Sequence, residues 1–201
     1  MRASAHEIIL ASGSAARRKV LNDAGIPAVS VKPSVDEDAL KSEMRGKNLS
    51  VAEQAMKLAE AKALEVSDRQ TGLVLAGDQM LNLEGRAFDK PKDLEEAKSH
   101  LWSLSGQTHT LETAIIIAES GKPVWQHLSQ PKLHVRDLSN EFIDAYVESA
   151  GDVLLSTVGA YQFEGLGAQI FSKIEGDFFS ILGMPLLPLL EYLRSRGVLL
   201  T

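Results

Sequence analysis

The sequence predicts an α/β protein in which a mixed β-sheet is flanked by helices. Three observations carry this. Residues 8–11 (IILA) and 73–76 (LVLA) are short, wholly apolar runs of the kind found in strands buried on both faces. Between them an alanine-rich stretch follows Ser50 and consists of strong helix formers. Strands and helices alternate early in the chain, whereas strands cluster in its second half, and that order favours a sheet with parallel and antiparallel parts. A chain of 201 residues can bury a full core, as one domain or as one domain with two lobes.

The elements follow in order. Residues 8–11 form a strand, residues 12–15 a turn of small residues, and residues 16–21 the start of a helix. Gly25-Ile26-Pro27 breaks the chain, and residues 28–32 (AVSVK) alternate as a strand does. Residues 33–40 carry three consecutive carboxylates, Asp36, Glu37 and Asp38, and are expected to be a solvated acidic loop. Ser50 and Glu53 form a capping box for the long helix, with Val51, Ala55, Leu58 and Leu64 on one face. The strand at 73–76 ends in Gly77-Asp78-Gln79 and continues through residues 80–83 to a turn at Glu84-Gly85. Residues 88–91 are extended, because the residue before a proline avoids the helical region. Asp93 caps the next helix, with Glu96 three residues on, and Gly106 stops it. Strands are expected at 108–118, 124–128 and 133–138, with a turn at 121–123. Ser139 caps a helix that Ala150-Gly151 ends. A glycine-punctuated segment, 159–167, precedes a strand at 168–175, and Gly183-Met184-Pro185 leads into a terminal helix over 186–197.

Composition excludes several functions. The net charge of −6 argues against a general nucleic-acid binder, although a local basic pocket remains compatible with it. With no cysteine there is neither a disulfide nor a thiolate zinc site. No apolar run is long enough to span a bilayer, and the apolar patch near the start is too short for a secretory core. A cytoplasmic protein without a membrane or nucleic-acid partner is expected.

Candidate chemistry is sparse. The five histidines, His6, His100, His109, His127 and His134, lack metal-ligand spacing, and there is no nucleophile elbow, Walker loop or dinucleotide fingerprint. A strand handing over to a helix through Ser12 and Ser14 leaves free backbone N–H groups, and Arg17 and Arg18 add charge suited to phosphate. The same turn could equally be a surface helix start with two solvated arginines. Asp78 follows a buried strand, where α/β sheets place ligands, and could hold a metal or accept a proton from water; it could also be a simple turn residue. Glu37 could complete a magnesium site. Lys62 and Lys90 could reach a phosphate, or be ordinary surface charges. Together these residues suggest a metal-dependent enzyme acting on a phosphorylated substrate.

The pieces also occur in a recognisable order: residues 10–18 (LASGSAARR), Val35-Asp36-Glu37, Ala61-Lys62-Ala63, Ala76-Gly77-Asp78-Gln79, Lys90-Pro91, residues 104–109 (LSGQTH), Gly159-Ala160-Tyr161 with Glu164-Gly165-Leu166-Gly167, and residues 183–186 (GMPL). In this the chain resembles the Maf family of nucleotide pyrophosphatases over nearly its whole length. The resemblance implies an elongated mixed sheet and an active-site cleft between two lobes. It implies hydrolysis of a nucleoside triphosphate between the α- and β-phosphates with Mg2+ or Mn2+, and a homodimer. It further implies that Asp78 is the proton acceptor, that Ser12, Ser14, Arg17, Arg18, Lys62 and Lys90 bind phosphate, and that Glu37 and Asp78 place the metal. Ala16, Gln79 and Glu164 would then set specificity. The branch acting on dTTP and UTP carries Thr after the catalytic Asp and Gln at the later turn. Gln79 and Glu164 instead match the branch acting on 7-methyl-GTP, and a carboxylate suits the donor edge of guanine. The chain departs from the family pattern at Ala15, where a proline is usual, and at Ala16, where the branches carry a larger residue. It departs again at Ser156-Thr157-Val158, which further separates it from the dTTP/UTP branch. A 7-methyl-GTP pyrophosphatase is the leading expectation. A dTTP/UTP pyrophosphatase and a nucleotide-binding regulator of cell division are the alternatives.

Overall fold

The computed structural model describes residues 7–200. His6 and the first half of the N-terminal stretch 1–12 lie outside them, and the apolar patch of that stretch is the first strand. Eight strands form one sheet in the order β2-β1-β3-β5-β7-β8, with β4 added to β3 and β6 to β5. The strands are β1 (Ile8–Ala11), β2 (Val29–Ser30), β3 (Leu73–Leu83), β4 (Arg86–Phe88), β5 (Thr108–Glu119), β6 (Lys122–Ser129), β7 (Lys132–Val135) and β8 (Phe171–Glu175). The helices are α1 (Ala15–Asp23), α2 (Glu37–Gly46), α3 (Val51–Ser67), α4 (Leu94–Leu104), α5 (Asn140–Ala150), α6 (Phe178–Ile181) and α7 (Leu186–Ser195). The β1 pairings with β2 and β3 are parallel, and β3/β4, β5/β6, β5/β7 and β7/β8 are antiparallel. The expected mixed sheet is present, and its parallel part lies early in the chain. Among the described residues no helix is long and apolar enough to cross a membrane.

The chain divides into two compact units. The first comprises Met1–Asp78, Thr113–Ser129 and Phe178–Thr201, and the second Gln79–Glu112 and Gln130–Asp177. Both β3 and β5 pass from one unit into the other.

In the first unit the period of two along each strand decides which helix each side chain meets. Ile8 and Leu10 of β1, Leu73 and Leu75 of β3, and Ile115 and Ile117 of β5 share a core with Val20 and Leu21 of α1 and with Leu186, Leu189 and Leu193 of α7. The alternate residues Ile9, Val74, Ala76 and Ile116 point the other way and are also buried. On α3 the buried stripe runs Val51, Ala55, Leu58, Ala59, Lys62, Ala63 and Val66, the helical spacing of a face turned to the core. Its capping box is complete: Glu53 N donates to Ser50 Oγ, and Ser50 N to Glu53 Oε2.

The acidic stretch is a correction to the expected loop. Asp36 Oδ1 accepts a hydrogen bond from Ala39 N at 3.0 Å and starts α2, with Glu37 in its first turn. An acid that caps and acids in the first turn favour a helix through its dipole.

In the second unit α4 and α5 bury Ala97, Leu101 and Leu104, and Ile143, Tyr146 and Val147. Asp93 caps α4 as expected by accepting from Glu96 N at 2.8 Å, while Glu96 Oε2 accepts from Lys92 N at 2.7 Å. The strand expected from residue 168 begins only at Phe171, because Leu166–Ile170 is a 3-10 turn.

Candidate active site

Ser14 caps α1, its hydroxyl accepting from Arg17 N at 3.3 Å, while Ser14 N donates to Ser12 Oγ at 3.1 Å. The two hydroxyls fold the turn back on itself, so the early N–H groups of α1 converge at one end of the helix. Arg17 and Arg18, adjacent in sequence, part ways. Arg18 is exposed. Arg17 turns inward: its Nε donates to the Gly183 carbonyl at 2.8 Å and its Nη1 to Ser12 Oγ at 3.3 Å. Burial pulls the Arg17 guanidinium below its ordinary pKa, and the negative charges of Asp78 and Glu37 oppose that shift.

Glycine at position 77 permits this arrangement. A Cβ there would lie 3.1 Å from Arg17 Nε and 3.2 Å from the Ala114 carbonyl oxygen. Gly77 shares the parity of Leu73 and Leu75, hence the α1 side of β3. Asp78, one residue on, shares that of Val74 and Ala76 and points to the opposite face. There its Oδ1 accepts from Lys62 Nζ of α3 at 2.7 Å. The same ammonium lies 2.9 Å from Glu37 Oε1. Lys62 and Asp78 are each 7% exposed, so this ion pair is buried, whereas the Glu37 side chain is 44% exposed. Removing Lys62 would leave a buried carboxylate without its partner.

The three neighbouring acids therefore have different environments. Asp36 caps, Glu37 reaches Lys62, and Asp38 is exposed. Among the described residues no three His, Asp or Glu side chains converge as a preformed metal cage. Glu37 and Asp78, held by one ammonium, are nonetheless a hard oxygen donor set. It suits Mg2+ or Mn2+, which complete their shells with water and phosphate oxygens.

The first unit thus gathers Ser12, Ser14, Arg17, Glu37, Lys62 and Asp78, with Ala16 half-buried on α1. Gln79, Lys90 and Glu164 belong to the second unit; Gln79 is half-buried, and Lys90 and Glu164 are exposed. The anchoring carbonyl of Gly183 and the clearance at Gly77 carry no charge signal in the sequence. Only their membership of Gly183-Met184-Pro185 and Ala76-Gly77-Asp78 could have drawn attention to them. Chemically, the first-unit cluster can hold an anionic group at the start of α1 and take a proton at a carboxylate nearby.

An α/β fold with a serine-capped helix start after β1 and a lysine-paired aspartate just past the parallel-paired part of β3 has the layout of proteins that handle phosphorylated ligands. A family model described as Maf-like protein matches residues 7–196. The chain belongs to the Maf family. It is 60% identical over 194 residues to a protein of Hyphomonas neptunium named nucleoside triphosphate pyrophosphatase, covering 96% of this chain and 98% of that one. A protein of Caulobacter vibrioides with the same name is 44% identical over 192 residues, 96% of either chain. A protein of Mesorhizobium japonicum named 7-methyl-GTP pyrophosphatase is 46% identical over 194 residues, 96% of this chain and 98% of that one.

Proposed function

We propose that this chain hydrolyses 7-methyl-GTP between the α- and β-phosphates, releasing 7-methyl-GMP and pyrophosphate. In class it is a Maf-family nucleoside triphosphate pyrophosphatase, a hydrolase. The observation that carries the reading is the buried Lys62 ammonium shared by Asp78 and Glu37, two carboxylates whose charge the inward Arg17 guanidinium also feels.

Each residue has a physical task. The N–H groups at the start of α1, arranged by Ser12 and Ser14, receive phosphate oxygens, and Arg17 and Arg18 offset their charge. Arg17 is already fixed by Gly183 and Ser12, so little side-chain freedom is lost on binding. Asp78 orients a water and accepts its proton. The water oxygen bonds to the α-phosphorus as the bond from that phosphorus to the bridging oxygen breaks, and pyrophosphate leaves with the electron pair. Lys62 holds the Asp78 carboxylate in place through their 2.7 Å hydrogen bond, and with Lys90 adds positive charge for the phosphates. Glu37 and Asp78 would hold a divalent cation. When bound, such an ion supplies charge neutralisation to the phosphate oxygens.

The choice of base rests on Glu164 and Gln79. A carboxylate accepts hydrogen bonds from the N1–H and N2–H2 edge of guanine, and methylation at N7 adds a positive charge that a carboxylate also favours. The name of the Mesorhizobium relative supports the same substrate.

A pyrophosphate-release screen with 7-methyl-GTP, GTP, dTTP, UTP and CTP tests the reading. The expected result is fastest turnover of 7-methyl-GTP and near-complete loss in Asp78→Asn. Faster dTTP or UTP turnover would reject the substrate. Binding without turnover, with either Mg2+ or Mn2+ present, would favour a nucleotide-binding regulator.

A further inference from the structure

Two sequence pieces that bring no charge to the triphosphate, residues 104–109 and 159–161, meet inside the second unit. His109 Nε2 and the Tyr161 hydroxyl are hydrogen-bonded at 2.7 Å. His109 is 1% exposed and Tyr161 5%. The Tyr161 ring stands edge-on to Phe171 at 4.9 Å, and the rings of Phe163 and His109 lie 5.6 and 6.1 Å from the same Phe171. Glu164 is the next residue after Phe163 and is exposed. The two aromatic residues that precede it, Tyr161 and Phe163, are thus tied to one cluster of rings.

The chain on either side of Glu164 is fixed as well. Gly165 N donates to the Gln162 carbonyl at 3.2 Å. A Cβ at Gly167 would collide with that carbonyl, so glycine is required for the loop to close so tightly. The Tyr146 phenol oxygen meets the backbone of Gln162 from α5. Tyr146, His109 and the ring of Phe171 therefore hold the loop from three elements, α5, β5 and β8.

Packing alone gives no reason for a buried histidine and a buried tyrosine here. A phenylalanine and a leucine would fill similar space without polar groups to satisfy, and His109 Nδ1 has no partner among the described residues. What the polar pair adds is direction, since a hydrogen bond fixes the Tyr161 ring along its axis whereas apolar contact lets it slide. We infer that His109 and Tyr161 are positioning residues for nucleotide selection, which hold the Glu164 loop in the conformation that reads the base. The inference rests on the reading of Glu164 as the base-recognising carboxylate. Neither residue needs to touch the nucleotide; each acts through the loop.

A double-mutant cycle on the full chain tests this, using 7-methyl-GTP and GTP as paired substrates. Tyr161→Phe removes only the hydroxyl. It is expected to leave kcat for 7-methyl-GTP within about twofold and to raise KM about fivefold, lowering the preference over GTP by a similar factor. In the Glu164→Gln background the same change is expected to alter the preference by less than about twofold, because the carboxylate it serves is gone. His109→Gln, which keeps a hydrogen-bonding group, should retain more preference than His109→Leu, and it provides the same comparison if Tyr161→Phe fails to fold. Unchanged preference in Tyr161→Phe and His109→Leu would overturn the inference. So would an equal loss with and without Glu164, which would mark a purely structural role. If Glu164→Gln itself leaves the preference untouched, the base-reading assignment falls and this inference falls with it.

Discussion

Lys62 shows how one residue can change meaning between sequence and structure. A lysine on a helix is ordinarily a surface charge, yet this one lies in the buried stripe of α3 and holds two carboxylates. Asp78→Asn keeps an oxygen that can accept from Lys62, so the fold should survive while the proton acceptor is lost. Pyrophosphate release is expected to fall by roughly 100-fold or more, with little change in melting temperature. His109 gives a second test at this scale. Burial lowers its pKa to about 4 from an ordinary 6.5, with His134 a lesser cause. Between these values the unfolded chain takes up a proton and the folded chain does not. The stability contributed by neutral His109 is therefore complete above pH 6.5 and is lost as the pH falls toward 4, on the order of 3 kcal/mol over the window. Urea titrations at neutral pH and near pH 4.5 should show a shallower loss in His109→Gln than in the unaltered protein.

At the scale of elements, local signals in the sequence were dependable. The capping residues Ser50, Asp93 and Ser139 each begin the helix expected of them, because a cap is decided within a few residues. Ser50→Ala should cost about 1 kcal/mol in a denaturant titration without changing turnover, since α3 has the capping box far from Lys62. What sequence did not disclose is non-local. The acids at 36–38 resembled a solvated loop, and only the partner Lys62, on another helix, separates Glu37 from its neighbours. The onset of β8 at Phe171 depends on how Gly167 packs against Gln162, which no alternation of residues reveals. Gly77 is another such case. Gly77→Ala would press a methyl group against the Ala114 carbonyl and Arg17, and backbone on one side cannot give way. A loss of roughly 1–3 kcal/mol in stability is expected, together with a raised KM as Arg17 shifts. Denaturation and steady-state kinetics on the same preparation would show both.

For the whole molecule, the net charge of −6 opposes the approach of a polyanion, so binding must rely on a local field. Arg17 is half-buried and held by two hydrogen bonds, whereas Arg18 and Lys90 are exposed. Raising the ionic strength from about 0.05 to 0.5 M should therefore raise KM for the triphosphate several-fold, with kcat changing less; a KM independent of salt would rule out a role for the exposed cations. The division of the chain has a consequence for how such enzymes could diversify. The boundary falls at the peptide bond after Asp78, so the proposed proton acceptor and its ion pair belong to one unit, and Gln79, Lys90 and Glu164 to the other. The second unit is a two-segment cassette, Gln79–Glu112 and Gln130–Asp177, joined to the first at four points: within β3, within β5, after Ser129 and before Phe178. If Glu164 reads the base and Asp78 takes the proton as proposed, recombination at those four junctions would move the base preference and leave the proton acceptor in place. A chimera carrying the cassette of a pyrimidine-preferring relative should inherit that relative's nucleotide choice while its turnover still depends on Asp78 of the host.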